Sequence, residues 1–320
     1  MSLPNVVFLD RSTIPSHIEF PHLPFDHQWV EYDATEPDQI VERLSQAQIV
    51  ITNKVVLDRQ TLSHLPNLEL IAVCATGFNN IDIEYCQQAG IAVANVRGYA
   101  SQSVPEHVIA MMFALRRNLI GYHQDIAAGE WQRKQQFCFF THPIGDIAGT
   151  TFGVIGNGEL GQATATLAKA LGMNVIFAER KGVTKCREGY LSFERVLMLS
   201  DVLSLHCPLN LQTQNLIAAK ELAQMKPDAI LINTGRGGLV DETALIHALR
   251  SQQIGGAGVD VFSQEPAGEG NPLVENSDLP NLLLTPHVAW GSDSSIQKLA
   301  NILMDNIHAY MLGEHKNRVV

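Results

Sequence analysis

The stretch TFGVIGNGELGQATATLAKALG, residues 151–172, decides the fold. Its first residues, TFGVIG, form an apolar run of strand length that ends in glycines. Gly156, Gly158 and Gly161 then follow the spacing G-x-G-x-x-G, and the chain passes directly into a helix-like pattern, LGQATATLAKALG. The hexapeptide alone is weak, but its position between a strand and a helix is specific. The first glycine permits a tight turn, the second lets backbone approach a pyrophosphate, and the third lets helix and strand pack closely. A helix N-terminus at this point supplies amide donors and a positive dipole end. The pattern also calls for an acid about 20 residues further on, at the end of the next strand. Glu179 stands there, after NVIFA. A carboxylate favours NAD, because it repels the 2′-phosphate of NADP. Arg180 and Lys181 beside it can each pair with a phosphate and keep NADP open.

Outward from this unit the same rhythm continues in both directions. DVLSLH (201–206), AILINT (229–234), GAGVDV (256–261) and NLLLTP (281–286) read as further strands of one sheet. Upstream, NVVFLD (5–10), AQIVITN (47–53), LELIAVCAT (68–76) and GIAVANV (90–96) read as strands of another, with QIVERLSQ (39–46) and DIEYCQQA (82–89) as helices. Strands apolar throughout, rather than alternating, indicate parallel sheets covered on both faces. Ser103-Val104-Pro105-Glu106 starts a helix expected to run to about residue 120, followed by an irregular, aromatic-rich stretch to about 146. A last helix is expected over 292–312, with Ile296, Leu299, Ala300, Leu303, Ile307 and Tyr310 on its apolar face. The fold class is α/β, with two doubly wound parallel-sheet domains.

Bulk properties exclude several functions. No window approaches the roughly 20 apolar residues of a membrane span, and the N-terminal MSLPNVVFLD lacks a basic, long-apolar leader. A net charge of −11 disfavours nucleic acid and anionic membranes as partners. Five cysteines without a CxxC pair indicate free thiols, so a cytoplasmic location is expected. The twelve histidines show no metal-ligand spacing, and no metal is expected.

Three motifs follow strand ends in the second half: Asn233-Thr234-Gly235-Arg236-Gly237, Asp260-Val261-Phe262-Ser263-Gln264-Glu265-Pro266 and Pro286-His287. Ligands of open α/β sheets bind outside the carboxyl ends of strands. Reduction of a keto acid needs a clamp for the carboxylate and a proton for the developing alkoxide. A guanidinium provides the first with fixed geometry. A histidine oriented by a carboxylate provides the second near neutral pH. Singly, Arg236, Glu265 and His287 each have an ordinary explanation as surface charge, loop or turn residues. Together, downstream of a dinucleotide fingerprint, they form a catalytic set.

The chain resembles the D-specific 2-hydroxyacid dehydrogenases over essentially its full length. GNGELG, HCPLN (206–210), INTGRGGLVDETAL (232–245), GVDVFSQEP (258–266) and TPHVAW (285–290) carry the resemblance. It implies a Rossmann-type NAD-binding domain (100–287, with a dimerisation arm at about 100–150) inserted into a flavodoxin-like substrate domain (1–99 and 288–320). It also implies a homodimer. Arg236 would bind substrate, His287 would be the acid/base that also contacts substrate, and Glu265 its partner. Ala75, Thr76, Gly77 and Phe78 would hold the carboxylate through backbone amides. Glu159 and Leu160 would approach the pyrophosphate, Cys207 and Pro208 would line the adenine side, and Thr213 would lie near the phosphates. Thr234, Gly235 and Asp260 would serve the nicotinamide end, with Val104 also on the cofactor. FAERKG, CREGY (186–190) and HVAWGSDSS point toward the branch that interconverts hydroxypyruvate and D-glycerate. Glyoxylate, pyruvate or 3-phosphohydroxypyruvate is the alternative substrate, and an NAD(H)-sensing binding protein is the reading from another class. Asn79, where the family often has Asp, and Pro105, where many members have Ala, leave the substrate open. Glu179 in place of the commoner Asp leaves the cofactor choice open.

Overall fold

The structure, a computed structural model, describes residues 3–320. Met1 and Ser2, the start of the segment read as lacking a leader, lie outside the described residues. The chain divides into two compact units, one from the segment up to Tyr99 together with Gly291–Val320, the other Ala100–Trp290.

The first unit is built on a five-stranded parallel sheet. Its strands are β1 (Asn5–Phe8), β2 (Gln28–Glu31), β3 (Ile49–Thr52), β4 (Leu70–Val73) and β5 (Ala92–Ala94), in the order β2-β1-β3-β4-β5. This is the flavodoxin-like order. Val7, Val50, Ile71, Val73 and Val93 pack on one face with Ile40, Leu44, Leu62 and Cys86 of the covering helices. Helix Asp293–Met311 packs on β4 from the other part of the unit. Ser292 caps it by accepting from the Ser295 amide, and Ile296, Leu299, Ala300, Leu303 and Ile307 are buried as their spacing requires. Asn306 ties this helix to the sheet by donating to the Asn95 carbonyl at 2.9 Å.

The second unit holds seven parallel strands: β6 (Thr151–Ile155), β7 (Asn174–Ala178), β8 (Tyr190–Leu191), β9 (Val202–Leu205), β10 (Ile230–Asn233), β11 (Gly256–Val259) and β12 (Leu282–Leu284). Their order is β12-β11-β10-β9-β6-β7-β8. Counted from β6, that is the dinucleotide-binding order with one added strand, and it reverses between β6 and β9. Alternate residues feed two cores. Val154, Val202, Ile230 and Ile232 face helices Ser103–Arg116 and Glu159–Ala170, while Leu203, Leu205, Leu231 and Val259 face Phe193–Leu199 and Glu242–Arg250.

The structure differs from the sequence reading at four places. β2, QWVE, is an edge strand with mostly exposed residues, so it carries no apolar run. β8 has only two residues. The helix from Ser103 ends at Arg116; Asn118 adopts a left-handed conformation (φ 48°), and two further helices, Leu119–Ala127 and Glu130–Lys134, follow. The second unit extends to Trp290 rather than ending at 287, because the Val288 and Ala289 amides bond to Asp260 and Ser103 donates to the Trp290 carbonyl.

Candidate active site

At the reversal between β6 and β9, the glycine-rich turn packs backbone on backbone. Gly156 has φ +100°, and a Cβ there would lie 2.5 Å from the Cys207 amide nitrogen. A Cβ on Gly161 would meet the Gly156 carbonyl oxygen at 2.1 Å. Gly158 differs: nothing lies within 4 Å of the Cβ it lacks. Helix Glu159–Ala170 therefore begins beside open space, with no side chain capping its first amides. Uncapped amides and a positive dipole end next to room for a ligand fit a dinucleotide pyrophosphate. When bound, such a nucleotide supplies hydride chemistry.

Other residues expected at the cofactor are spread around this edge. Glu179 follows β7 and is buried, with only 4% of its surface exposed. Its carboxylate accepts from the Arg180 amide and from the amide, Nε and Nη2 of Arg187. These bonds, led by the Arg187 side chain, hold its pKa down at about 2. Cys207 and Pro208 follow β9; burial pushes the Cys207 thiol up to about 11, so it stays protonated. The Thr213 hydroxyl braces its own loop, donating to the Pro208 carbonyl at 2.7 Å. Thr234 follows β10 with its buried hydroxyl oxygen unpartnered, and Val104 is buried in the first turn of its helix.

The three strand-end motifs are held as one structure. After β10, the Gly235 amide donates to the Asn233 side chain, which in turn donates to the Arg236 carbonyl. Arg236 Nη1 donates to the Gly235 carbonyl, and no other protein partner of its guanidinium is found among the described residues. A Cβ on Gly237 would stand 1.7 Å from the Phe262 carbonyl oxygen, so this turn lies directly against the backbone that follows β11. There the Phe262 amide donates to Glu265 Oε1. Glu265 Oε2 lies 2.7 Å from His287 Nδ1. The structure thus brings Glu265 and His287 together, while no hydrogen bond joins either to Arg236 among the described residues.

His287 is held in an uncommon backbone conformation, φ 55°. A left-handed non-glycine residue persists only where its surroundings over-determine it. Asp260 does this. It is fully buried, and its carboxylate accepts from the Thr285 hydroxyl and from the Val288 and Ala289 amides. Its carbonyl accepts from the His287 amide at 2.8 Å, and the Trp290 indole closes the turn on the His287 carbonyl. Asp260, expected at the nicotinamide, has its carboxylate occupied with this loop.

Sequence reasoning gave no role to Arg187 or Glu242. Glu242 accepts from the Ser263 amide and hydroxyl and from Asn271, bracing the segment that carries Glu265. Both stood inside quoted motifs, CREGY and VDETAL, but their partners lie far off in sequence or depend on a turn.

In the first unit, Ala75, Thr76 and Gly77 follow β4. Thr76 donates to the Val96 carbonyl and accepts, through its own carbonyl, from Asn95 at 2.7 Å. No cluster of three His, Cys, Asp or Glu residues able to hold a metal is found among the described residues.

This arrangement agrees with comparison to known proteins. Residues 109–289 match the model of the D-isomer specific 2-hydroxyacid dehydrogenase NAD-binding domain. The chain belongs to the D-isomer specific 2-hydroxyacid dehydrogenase family. It is 47% identical to glycerate dehydrogenase of Methylorubrum extorquens over 98% of both chains. It is 32% identical to hydroxypyruvate reductase of Blautia hydrogenotrophica, over 98% of this chain and 99% of that one. The D-lactate dehydrogenase of Aquifex aeolicus, solved with NAD and lactic acid, superposes with a TM-score of 0.80 at 26% identity, covering 97% and 96% of the two chains. All seven strands of the second unit and the open glycine turn lie within the segment that matches the family's NAD-binding domain.

Proposed function

We propose that this chain reduces hydroxypyruvate to D-glycerate, and catalyses the reverse oxidation, with Arg236, Glu265 and His287 as its catalytic residues. The observation that carries the reading is the 2.7 Å contact of His287 Nδ1 with Glu265 Oε2, built on the loops that follow β11 and β12. That contact fixes the ring and leaves Nε2 to deliver a proton to the oxygen of a reduced carbonyl. Arg236, with most of its donors unspent, binds the substrate carboxylate. Ala75, Thr76 and Gly77, on a loop braced by Asn95 and Val96, are substrate-binding through their amides. Gly156, Gly158, Glu159, Leu160 and Gly161 hold the pyrophosphate, and Glu179 the adenosine ribose. Cys207, Pro208 and Thr213 border the nucleotide. Val104, Thr234 and Gly235 complete its site, and Asp260 acts by setting the 285–289 loop.

Similarity to a glycerate dehydrogenase and a hydroxypyruvate reductase supports the choice of substrate. Glyoxylate is the second candidate, supported by glyoxylate reductases among the relatives, such as that of Thermococcus litoralis at 34% identity over 89% of the chain. The test is loss of NADH absorbance with hydroxypyruvate, glyoxylate, pyruvate and 3-phosphohydroxypyruvate. The highest kcat/KM is expected for hydroxypyruvate. Turnover of none of them, with NADH still bound, would leave a nucleotide-sensing protein and overturn the proposal.

A homodimer formed through residues 100–150 belongs to the same reading. Leu119, Ile120, Ile126, Trp131 and Ile144 are exposed there, with Phe137 and Phe140 at 95% and 78%. So much apolar surface on one segment is usual for an interface. Light scattering behind a sizing column should give twice the 35.1 kDa chain mass. A cytoplasmic location is supported by five unpaired cysteines.

A further inference from the structure

The adenosine end of the nucleotide site has an unusual occupant. β7 ends at Ala178, and the Glu179 amide pairs with the Leu191 carbonyl of β8. Between them the chain loops out and returns through a turn in which the Tyr190 amide bonds to the Arg187 carbonyl. That turn lays the Arg187 guanidinium 4.0 Å from the centre of the Tyr190 ring and against Glu179. The fork is bidentate, Nε to Oε2 at 2.7 Å and Nη2 to Oε1 at 2.9 Å. With the amides of Arg180 and Arg187 added, four donors meet the roughly four lone-pair sites of a carboxylate. The shelf is tied to the phosphate turn, because Asn157 donates to the Tyr190 hydroxyl at 2.6 Å.

A carboxylate in this position selects NAD by accepting from the free ribose hydroxyls and repelling a 2′-phosphate. Here its charge is matched and its acceptor sites are filled. The Arg187 side chain that does so is 57% exposed, and the fork spends only Nε and one hydrogen of Nη2, which leaves donors for a phosphate. The two cations flagged by the sequence are placed differently. Lys181 is turned away onto Glu221 at 3.0 Å and the Leu216 carbonyl. Arg180 is exposed and touches Glu179 only through its amide.

We propose that Arg187 sets the coenzyme discrimination of this chain: by saturating Glu179 and presenting a guanidinium beside it, Arg187 admits a 2′-phosphate, so NADPH binds as well as NADH. The proposal rests on Glu179 lying at the adenosine ribose. For NADH the hydroxyls must share Glu179 with Arg187, and for NADPH the phosphate takes up the guanidinium that the carboxylate holds. Arg187 is thus a specificity-determining residue and takes no part in hydride or proton transfer.

The test is isothermal titration of wild type, Arg187→Ala and Glu179→Ala with NADH and with NADPH. For wild type the ratio Kd(NADPH)/Kd(NADH) is expected below ten; a larger ratio overturns the proposal. Arg187→Ala should raise that ratio tenfold or more, chiefly by weakening NADPH. A smaller rise, or a fall, overturns it, since a fall means that Arg187 only orients Glu179 for the diol. Glu179→Ala should weaken NADH. If it does while Arg187→Ala leaves the ratio within tenfold, the ribose assignment stands and the proposal alone fails. If NADH binding to Glu179→Ala matches wild type, the ribose assignment fails and takes the proposal with it. A matching thermal midpoint for each variant confirms that the fold is intact, and Arg187→Lys, which keeps charge but not the fork, should give an intermediate ratio.

Discussion

His206 offers a test of the second unit that needs no substrate. It follows β9 at the strand-order reversal, where its backbone lies against Gly156, and its ring sits 2.9 Å from the Ser204 hydroxyl. Burial lowers its pKa from 6.5 to about 4, so the ring is neutral at pH 7. The folded value lies below the unfolded one. Between the two, the unfolded chain binds the extra proton, so this stability is present above pH 6.5 and drains away as pH falls toward 4. At pH 4.5 the linkage amounts to about 2 kcal/mol relative to pH 7. Other groups titrate over the same range, which is why the comparison is with His206→Asn, a side chain without a titrating ring. Urea unfolding followed by circular dichroism at a series of pH values from 7 to 4.5 should show wild type losing about 2 kcal/mol more than the variant. The variant starts lower at pH 7 through lost packing, and the two curves converge in acid. Parallel curves would refute the reasoning, because they would mean that His206 takes up its proton equally in both states.

Three further outcomes follow from the geometry. His287→Ala should lower kcat by about 10²–10⁴-fold while NADH affinity, read by titration, stays near wild type; a near-normal rate at neutral pH would remove His287 as proton donor. Gly158→Ala should leave the thermal midpoint almost unchanged, because nothing lies within 4 Å of the added Cβ; NADH affinity should fall at least about tenfold, since that space is the one a pyrophosphate needs. Unchanged affinity there would displace the pyrophosphate from this turn. Asp260→Asn replaces an acceptor-only group that serves three donors by one with an amide that must itself donate. It should cost about 1–3 kcal/mol in unfolding free energy and depress kcat more than NADH affinity, and equal losses in both would argue that Asp260 serves the nucleotide directly.

Both sheets were legible in the sequence because their inner strands are buried on two faces, which leaves a continuous apolar run that helices and loops rarely imitate. The C-terminal helix was legible to its ends for a different reason: Ser292 caps it and its apolar residues keep helical spacing for five turns. β2 was not, since an edge strand with one partner needs no apolar face, and QWVE carries none. The break at Asn118 was missed because nothing in the local pattern forbids continuation; the Asn118 side chain donating to the Pro143 carbonyl, 25 residues on, rewards the turn. In the site, the residue types of Arg236, Glu265 and His287 were readable, and so was their place at strand ends. A histidine oriented by a carboxylate was expected from the chemistry, and the resemblance paired Glu265 with His287. The geometry was not legible, because it depends on the left-handed turn at His287, and that turn depends on Asp260.

The acids of this region show why composition alone could not separate their roles. Glu179, Glu242, Asp260 and Glu265 all follow strands or open helices of one sheet, and any of them could be proposed to orient a histidine. Their partners distinguish them. Asp260 is fully buried and faces backbone amides and a hydroxyl, so it shapes a loop. Glu242 faces Ser263 and Asn271, so it braces the segment bearing Glu265. Glu179 faces a guanidinium and two amides, which keep it ionised and away from proton transfer. Glu265 alone divides its two oxygens between a backbone amide and an imidazole. One oxygen fixes the carboxylate in place, and the other fixes the ring. A glutamine at 265 has one acceptor oxygen in place of two, so its amide nitrogen would face either the Phe262 amide or the ring. The pairing therefore decides where the ring points, and the proton transfer proposed for His287 depends on that orientation.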